Sequence, residues 1–280
     1  MERVAAVIPN LNGAGFVGTC VEAALRAGAA DVVVVDDGSQ DASPAEAETA
    51  GARLLRSPGR GFAAAVAAGF AATDEQYVLV LNSDCFLDAN AVSQLAAALD
   101  SEPRLALVGA GLRSPDGSPA KSHGVLLGLD GAVRALLTGS TGRGAERLAS
   151  GLQHCEFVPL ACALARRSAW DSVGGIDTGY AFYFEDYDLC WRLGAAGWQI
   201  AVLWDAGAVH LEGASSEADG GPWLGQYYAS LARYLRRRYP SRWVAFPAVW
   251  LPYAIVQTAR RPRRASDFIG AAKAVVLPPR

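Results

Sequence analysis

The sequence predicts an α/β fold: a mostly parallel, twisted sheet with helices on both faces, followed by a C-terminal helical tail. In the first half of the chain, short runs of Val, Ile and Leu alternate with alanine-rich stretches of helical length, a pattern typical of βαβ units. Hydrophobic residues make up 51% of the 280 positions, which is enough to form a sizeable core. Ligands in such sheets bind beyond the carboxyl ends of the strands, so the chemistry is expected there.

The elements of the first half follow from this alternation. Short, mostly apolar runs predict strands at residues 4–8, 31–35, 52–55, 77–81 and 105–108. Helices are predicted between them, at residues 16–27, 44–50, 62–72 and 90–99. A strand, a crossover helix and a second strand place the two strands parallel.

The second half is less regular. Residues 109–151 are rich in glycine, with turns at 114–117 and 139–144, and predict a flexible insertion with a hairpin. Regular structure is expected again at residues 156–164. Two helices and a strand are then predicted, at residues 166–173, 185–196 and 199–203.

The bulk composition excludes several classes of protein. A net charge of −3 gives no overall attraction to nucleic acid, so no nucleic-acid partner is expected. The five cysteines are widely spaced without a C-x-x-C pair, which argues against a disulfide framework or a structural zinc site. The N-terminus lacks the pattern of a secretory signal. These features together predict a cytoplasmic protein.

The tail, residues 217–280, has a different composition. Tyrosines and tryptophans are interleaved with arginine clusters at 236–238, 260–261 and 263–264. The apolar run between the clusters contains Pro247 and Pro252 and is short for a transmembrane helix. Aromatic and basic side chains together suit a bilayer interface, which predicts peripheral contact with the inner face of the plasma membrane. The alternative is a helical lid packed on the core, with a solvated basic rim.

Residues 13–18, GAGFVG, match the G-x-G-x-x-G of a dinucleotide-binding turn, and Asp36 follows near the spacing of a ribose-binding carboxylate. In such a turn the first glycine directly follows the strand, whereas here residues 9–12 intervene. A short-chain reductase also needs a Tyr-x-x-x-Lys pair, and neither Lys121 nor Lys273 has a tyrosine four residues before it. The glycines are therefore assigned to a loop and the first turn of an ordinary helix.

Three predicted strand ends or helix starts carry charge, and the first is VVVVDDGSQD. Asp36 and Asp37 end a buried strand, where carboxylates can accept hydrogen bonds from a ribose hydroxyl or a nucleobase N–H. The alternative is ordinary turn chemistry, with Asp41 capping the next helix.

The second is YVLVLNSDC. Asn82 and Asp84, on either side of Ser83, lie two residues apart, so in extended geometry both face the same ligand. A carboxylate there suits Mg²⁺ or Mn²⁺, which take oxygen ligands and bridge phosphate oxygens. The alternative role of Asp84 is to cap the helix near Asn90.

The third is YFEDYDLCWRL, in which Glu185, Asp186 and Asp188 begin a helix. The helix dipole favours negative charge there, and carboxylates can cap free amides. That role accounts for one or two of the three. Aromatic surroundings also desolvate a carboxylate and raise its pKa, which helps a general base.

Taken together, these segments resemble the inverting GT-A glycosyltransferases of family 2 over roughly residues 4–216. Six elements stand in the order of that family: VAAVIPNLN, VVVVDDGSQD, VLVLNSDC, VPLACALARRSAWDSVGGID, FEDYDLCWRLGAAGW and AVHLEGASS. The L-N-x-D and F-E-D-x-D-L-C variants look most like bacterial rhamnosyltransferases. The processive Q-x-x-R-W signature is missing, which implies that one sugar is added at a time. The resemblance makes residues 1–216 the GT-A catalytic domain.

The resemblance also implies the roles of the site residues. The nucleotide sugar is expected on Pro9, Asn10, Asp36, Asp37, Asn82, Ser83 and Asp84. Asp84 and His210 would bind a divalent cation, Mn²⁺ or Mg²⁺. Asp186 matches the catalytic base that deprotonates the acceptor hydroxyl, and Glu185 would orient the acceptor or Asp186. His210 has the alternative of a strand-end histidine bonded to a backbone carbonyl.

The implied donor is dTDP-rhamnose or a UDP-sugar, and the implied acceptor is a cell-surface glycan, a glycolipid or a small molecule such as a natural product. The oligomeric state stays open, a homodimer included. Gly59, Val66 and Ala67 stand where many relatives carry asparagines, and Arg60 is the remaining polar side chain there. A sugar-1-phosphate nucleotidyltransferase is the alternative enzyme, although its glycine-rich opening loop with Arg and Lys is missing. A non-catalytic nucleotide- or carbohydrate-binding protein is the other alternative.

Overall fold

The computed structural model describes residues 4–138, 150–211, 223–260 and 265–276. The strands are β1 (Val4–Asn10), β2 (Asp31–Asp36), β3 (Arg53–Arg56), β4 (Tyr77–Leu81), β5 (Cys85–Leu87), β6 (Leu105–Arg113), β7 (Leu152–Cys155), β8 (Cys162–Arg166) and β9 (Gln199–His210). The helices are α1 (Val17–Arg26), α2 (Ser43–Thr49), α3 (Phe62–Ala71), α4 (Ala91–Ser101), α5 (Leu129–Thr138), α6 (Arg167–Ser172), α7 (Glu185–Ala195), α8 (Trp223–Arg238), α9 (Ala245–Arg260) and α10 (Ala265–Val276).

The described strands form one sheet in the order β3-β2-β1-β4-β8-β6-β9-β5, with β7 paired to β9. β1 is parallel to both β2 and β4, and β2 is parallel to β3. β8 is antiparallel to β4 and β6, whereas β6 and β9 are parallel. β5 and β7 are antiparallel to β9. Six of these nine strands therefore share one direction, which confirms the predicted mostly parallel α/β sheet.

The central strands are buried on both faces because helices cover both sides of the sheet. Side chains alternate between two hydrophobic clusters: Val7 and Val33 lie in one, and Ile8 and Val34 lie in the other. The ends of β1, β2 and β4 therefore hold fixed positions at one edge of the sheet.

Several elements differ from the sequence expectation. Within 109–151, β6 continues to Arg113, a tight turn follows in which the Ser114 amide bonds to the Ser118 carbonyl, and α5 forms at Leu129–Thr138. Arg113 pairs antiparallel with Pro119 across this turn, and the Ala120 amide donates to the Leu112 carbonyl, so the predicted hairpin forms at the end of β6. The regular helix α5 was not predicted in this segment. The second predicted turn, at 139–144, lies outside the described residues. The short strands β5 and β7 were not predicted because each gains its hydrogen bonds from β9, which is distant in sequence.

The C-terminal helices pack on the rest of the protein. Tyr234 and Leu235 of α8 are fully buried in the cluster that also holds Val7 and Val33 of the sheet. Arg237 of α8 pairs with the buried Asp188 of α7 at 3.1 Å. None of the helices in the described ranges combines the length and apolar character needed to cross a membrane. The predicted boundary at residue 216 lies outside the described part of the chain.

Candidate nucleotide-sugar site

A cavity of about 150 Å³ opens where β1, β2 and β4 end. The residues that line this cavity are Pro9, Asn10, Leu11, Asn12, Asp37, Gly61, Phe62, Ala65, Asn82, Ser83, Asp84, Ala181 and Phe182. Six of these were expected from the sequence: Pro9, Asn10, Asp37, Asn82, Ser83 and Asp84. Four other expected residues are not among the lining residues: Asp36, Glu185, Asp186 and His210.

The loop after β1 is fixed by polar contacts. Asn10 is 2% exposed, and its Nδ2 donates to Ser39 Oγ at 3.2 Å and Ser43 Oγ at 2.9 Å. A Cβ at Gly13 would lie 2.3 Å from Asn10 Oδ1, so this position requires glycine. The Gly13 carbonyl accepts from the amide of Val17, the first residue of α1. The glycine motif therefore forms a loop and an ordinary helix start, as the sequence indicated.

The two carboxylates after β2 have different surroundings. Asp36 is 1% exposed, pairs with Arg56 at 3.4 Å and accepts from the Ser39 amide at 3.3 Å. Asp37 lines the cavity, and its two oxygens accept from the amides of Arg60 at 3.1 Å and Gly61 at 2.7 Å. Each carboxylate oxygen of Asp37 keeps further lone pairs for a ligand. The structure thus leaves Asp37 at the cavity and ties Asp36 into the fold.

Asp37 also anchors the segment before α3. Gly61 has a φ of +89°, and a Cβ there would lie 2.3 Å from the Ala181 carbonyl oxygen. That same carbonyl accepts from the Phe62 amide at 2.8 Å. Glycine therefore lets two loops approach closely, and α3 contributes Phe62 and Ala65 to the cavity wall. The positions where relatives carry asparagines, Gly59, Val66 and Ala67, are not among the lining residues. Arg60 is not among the lining residues.

Asp84 and His210 meet beside the cavity. Asp84 is 3% exposed, and its Oδ1 lies 3.2 Å from His210 Nε2. Asn82 Nδ2 lies 3.4 Å from the same imidazole nitrogen. The meeting follows from β5 pairing with β9, which sets Cys85 opposite His210. His210 therefore has a carboxylate partner, and among the described residues no backbone carbonyl bonds to its ring, as the alternative interpretation would require.

The segment from Asn82 to Cys85 is a turn, closed by a 3.1 Å bond from the Cys85 amide to the Asn82 carbonyl. The expectation of extended geometry is wrong, because β5 begins at once and the chain must reverse to reach β9. Asp84 does not serve as the cap of α4 either: the residue before that helix is Asn90, with a φ of 65°. Both Asn82 and Asp84 nevertheless line the cavity.

The donor set fits a divalent cation that also takes ligands from a diphosphate. A carboxylate oxygen and an imidazole nitrogen are suitable ligands for Mn²⁺, and Mg²⁺ takes oxygen ligands together with substrate phosphates. Within the described ranges, no group of three His, Cys, Asp or Glu side chains converges as a ready metal cluster. Asp84 and His210 would therefore supply two ligands and leave the other positions to phosphate oxygens and water.

The acids of α7 begin just after the cavity wall. Ala181 and Phe182 line the cavity, and α7 starts at Glu185. Glu185 is 5% exposed, and burial, with the neighbouring Asp186 charge, raises the pKa of its carboxyl well above the ordinary value. Asp186 is partly exposed, and its Oδ1 accepts from the Tyr187 amide at 2.8 Å. The pair thus combines a desolvated acid with a solvent-accessible carboxylate.

Asp188 has a structural environment. It is fully buried, accepts from Arg192 Nε at 2.7 Å and pairs with Arg237 of α8 at 3.1 Å. Arg192 also donates to the carbonyls of Val173 and Gly175, both at 2.7 Å. Asp188 and Arg192 therefore join α7 to α8 and to the loop after α6.

Sequence reasoning missed part of the site. Phe62, Ala65, Ala181 and Phe182 give the cavity its apolar wall, and a loop aromatic such as Phe182 carries no signal of its own. Lys121 does not line the cavity, but it contacts the first turn of α7: its Nζ lies 3.2 Å from Tyr187 Oη and 4.6 Å from the Phe157 ring centroid. The rarity of lysine in this sequence was a signal that could have drawn attention to it.

Comparison with known proteins places the chain among glycosyltransferases. Residues 5–174 match the family described as Glycosyl transferase family 2. An N-acetylglucosaminyl-diphospho-decaprenol L-rhamnosyltransferase of Mycobacterium tuberculosis is 31% identical over 184 residues, 63% of this chain and 60% of that protein. The O-antigen biosynthesis protein RfbC of Myxococcus xanthus is 29% identical over 57% of this chain and 12% of its own length. The chain thus spans about three fifths of the length of the rhamnosyltransferase.

Solved structures share the fold at low identity. The mannosyltransferase PcManGT from Pyrobaculum calidifontis, in complex with GDP-Man and Mn²⁺, has a TM-score of 0.61 at 15% identity and covers 99% of this chain and 87% of its own. The glucosyl-3-phosphoglycerate synthase of M. tuberculosis, with Mn²⁺, UDP-Glc and phosphoglyceric acid, has a TM-score of 0.56 at 19% identity, over 84% and 79% of the two chains. These are GT-A glycosyltransferases, which confirms the GT-A fold. Since the family match covers more than half of the sequence, the chain belongs to glycosyl transferase family 2.

Proposed function

We propose that this protein is a non-processive, inverting glycosyltransferase that moves one sugar from a nucleotide-diphosphate donor to an acceptor hydroxyl in bacterial cell-surface glycan assembly. The observation that carries the proposal is the cavity at the ends of β1, β2 and β4, with Asp37 and Asp84 on its wall. The name of the mycobacterial relative favours dTDP-rhamnose as donor over a UDP-sugar, and a glycolipid as acceptor.

The donor would be bound along this cavity. Pro9, Asn10 and Asp37, which line the cavity, would hold the nucleoside, and Asp36 would fix the turn behind them. Asn82 and Ser83 would support the ribose. Asp84 and His210 would hold Mn²⁺ or Mg²⁺, which supplies Lewis-acid stabilisation of the leaving diphosphate when bound.

The acceptor would be activated at the start of α7. Asp186 takes the proton of the acceptor hydroxyl as its oxygen forms the bond to the anomeric carbon, while the bond from that carbon to the diphosphate oxygen breaks. Attack from the face opposite the leaving group inverts the configuration. Glu185, whose pKa is raised by burial and by the neighbouring Asp186 charge, would hold Asp186 or the acceptor in position.

A thermal-shift screen with dTDP-, UDP- and GDP-sugars, each with and without Mn²⁺, tests this proposal. We expect stabilisation that needs both a nucleotide and the cation, since ligand binding to the folded state raises stability by mass action. Stabilisation by a sugar-1-phosphate with a nucleoside triphosphate would favour a nucleotidyltransferase instead. Absence of any nucleotide effect would favour a non-catalytic binding protein and contradict the proposal.

A further inference from the structure

The C-terminal helices expose an unusual amount of aliphatic surface. Six aliphatic side chains here are at least 37% exposed, and we call them together the tail face: Val244 just before α9, Leu251, Ile255 and Val256 on α9, and Ile269 and Val276 on α10. On α9, residues 251, 255, 256 and 259 recur at helical spacing, and the fully buried Phe246 and Trp250 lie on the side turned to the protein. α9 is thus apolar on both its buried and its exposed side, unlike an amphipathic surface helix, whose exposed side is polar.

The charge of the chain is strongly divided along its length. Residues 221–280 contain 11 Lys and Arg and one Asp, whereas residues 1–220 contain 14 Lys and Arg and 27 Asp and Glu. Arg242 stands just before α9 and Arg260 ends it, and both are exposed. The aliphatic surface is therefore bounded by cations at both ends of α9. A mixture of aliphatic groups and cations is complementary to an anionic bilayer surface.

We propose that the tail face, with Arg242 and Arg260, is the surface by which this protein binds an anionic lipid bilayer peripherally. α9 has 16 residues, about 24 Å at 1.5 Å per residue, which is less than the roughly 30 Å hydrocarbon core of a bilayer. Its aliphatic side chains would enter the region between headgroups and acyl chains, and the arginines would meet lipid phosphates.

Helix α8 contacts both α9, which carries part of the tail face, and the wall of the cavity. Tyr228 of α8 packs on Trp250 of α9, with ring centroids 5.2 Å apart. Two residues further along α8, Ser230 Oγ donates to the Phe182 carbonyl at 2.8 Å, and Phe182 lines the cavity. Binding by the tail face would thus hold the sugar-transfer site close to the membrane surface. This consequence, though not the lipid binding, rests on the proposed function and its glycolipid acceptor.

Vesicle co-sedimentation without donor or acceptor tests the lipid binding separately from sugar transfer. We expect the full chain to bind vesicles of phosphatidylglycerol and phosphatidylcholine in equal parts, and to bind pure phosphatidylcholine much less. Raised salt should weaken binding, because it screens the arginines. Ile255→Ser/Val256→Ser should lower the partition coefficient about tenfold or more, and Arg242→Gln or Arg260→Gln about fivefold each.

The control is Leu25→Ser/Arg26→Gln, which changes an exposed apolar and an exposed basic side chain on α1. This variant should bind vesicles like the wild type, and all variants should keep the wild-type circular dichroism and melting temperature. Failure of the wild type to bind anionic vesicles would overturn the proposal. A loss of vesicle binding in the α1 variant as large as that in Ile255→Ser/Val256→Ser would overturn it as well. Sedimentation equilibrium is the second measurement: a wild-type dimer that Ile255→Ser/Val256→Ser converts to monomer would assign the tail face to a second copy of the chain instead.

Discussion

At the scale of single residues, the contact between Asp84 and His210 has a close counterpart elsewhere in the molecule. His154 Nε2 lies 3.2 Å from Glu102 Oε2, the same separation as in the Asp84–His210 pair. The two pairs differ in environment: the side chain of His154 is 49% exposed, and that of His210 is 13% exposed beside the cavity. The His–carboxylate distance alone therefore does not distinguish the two pairs, whereas their position relative to the cavity does.

His210→Ala should remove the part of nucleotide binding that depends on Mn²⁺, because it would delete one of the two proposed protein ligands and leave Asp84 alone. The measurement is isothermal titration calorimetry with dTDP or UDP, with and without Mn²⁺. His154→Ala is the matched control and should titrate like the wild type. An unchanged Mn²⁺ dependence in His210→Ala would show that the imidazole does not bind the cation.

Asp186→Asn should keep the affinity for the donor and lower kcat by about 10²- to 10⁴-fold, the usual contribution of a general base. The amide has nearly the shape of the carboxylate but does not accept the acceptor's proton at neutral pH. Steady-state kinetics with donor-binding titrations separate the two effects. Near-normal turnover in this variant would exclude Asp186 as the base.

At the scale of elements, the start of α7 is held in an unfavourable backbone conformation. Tyr183 and Phe184 have φ values of 66° and 67°, a region that bulky side chains rarely adopt. Aromatic packing on α8 holds them: the centroid of Tyr227 lies 5.5 Å from that of Tyr183 and 5.2 Å from that of Phe184. Strain of this kind persists where the surroundings over-determine it, and it is common at active sites. α8 therefore helps to set the direction in which Glu185 and Asp186 leave the cavity wall.

The buried Glu185 predicts a pH dependence of stability. The pKa of Glu185 is raised in the folded state. Below the ordinary glutamate pKa the group is protonated in both states and does not lower the free energy of unfolding. As pH rises from there towards the folded-state pKa, only the unfolded state ionises, so the free energy of unfolding falls. The free energy of unfolding should fall in that window by up to about 1.4 kcal/mol per pH unit from this group. Glu185→Gln should flatten the slope and be more stable above the ordinary glutamate pKa, as measured by urea unfolding at a series of pH values from that pKa upward. Glu22→Gln, with a side chain 58% exposed in the wild type, is the control and should leave the slope unchanged.

Substitution of Asp188 should affect stability, whereas substitution of Asp186 should affect activity, although both residues lie in the first turn of α7. Asp188→Ala leaves the partly buried Arg192 without its carboxylate and the exposed Arg237 with Asp177 as its remaining acidic partner. Loss of one partner of a buried ion pair commonly costs about 3–5 kcal/mol. Urea unfolding should therefore show a large loss in Asp188→Ala and a small one in Asp186→Asn. Equal stabilities would mean that α8 does not depend on this carboxylate for its attachment.

At the scale of the whole molecule, the C-terminal helices share the core of the sheet domain. Tyr234 and Leu235 are fully buried in the same cluster as Tyr180 and Leu189, the latter on α7. A chain cut after residue 216 would expose this surface to water. We expect it to melt at least about 10 °C lower than the full chain, or to lose a cooperative transition, by circular dichroism. Wild-type melting would instead support the predicted division into residues 1–216 and 217–280.

The predictable part of the molecule is the part with local patterns. The strands β1, β2 and β4 and the helices between them follow from period and composition, and the polar residues at their ends were placed correctly at one edge. Asp37, Asn82 and Asp84 accordingly line the cavity. By contrast, β5 has three residues and forms because β9 supplies its hydrogen bonds, so no local pattern marks it. Helix α5 was not predicted, because the glycines within and around it favoured a loop.

The sequence by itself determined the α/β class, the family and the candidate chemistry, because hydrophobic period and strand-end polar motifs depend on short stretches of chain. The tertiary structure decided which acids share a site: it brought His210 to Asp84, buried Glu185, paired Asp188 with two arginines and turned Asp36 towards Arg56. These outcomes depend on strand pairing and helix packing between distant segments. Desolvation and charge pairing arise only once such segments meet, so no short stretch of sequence specifies them.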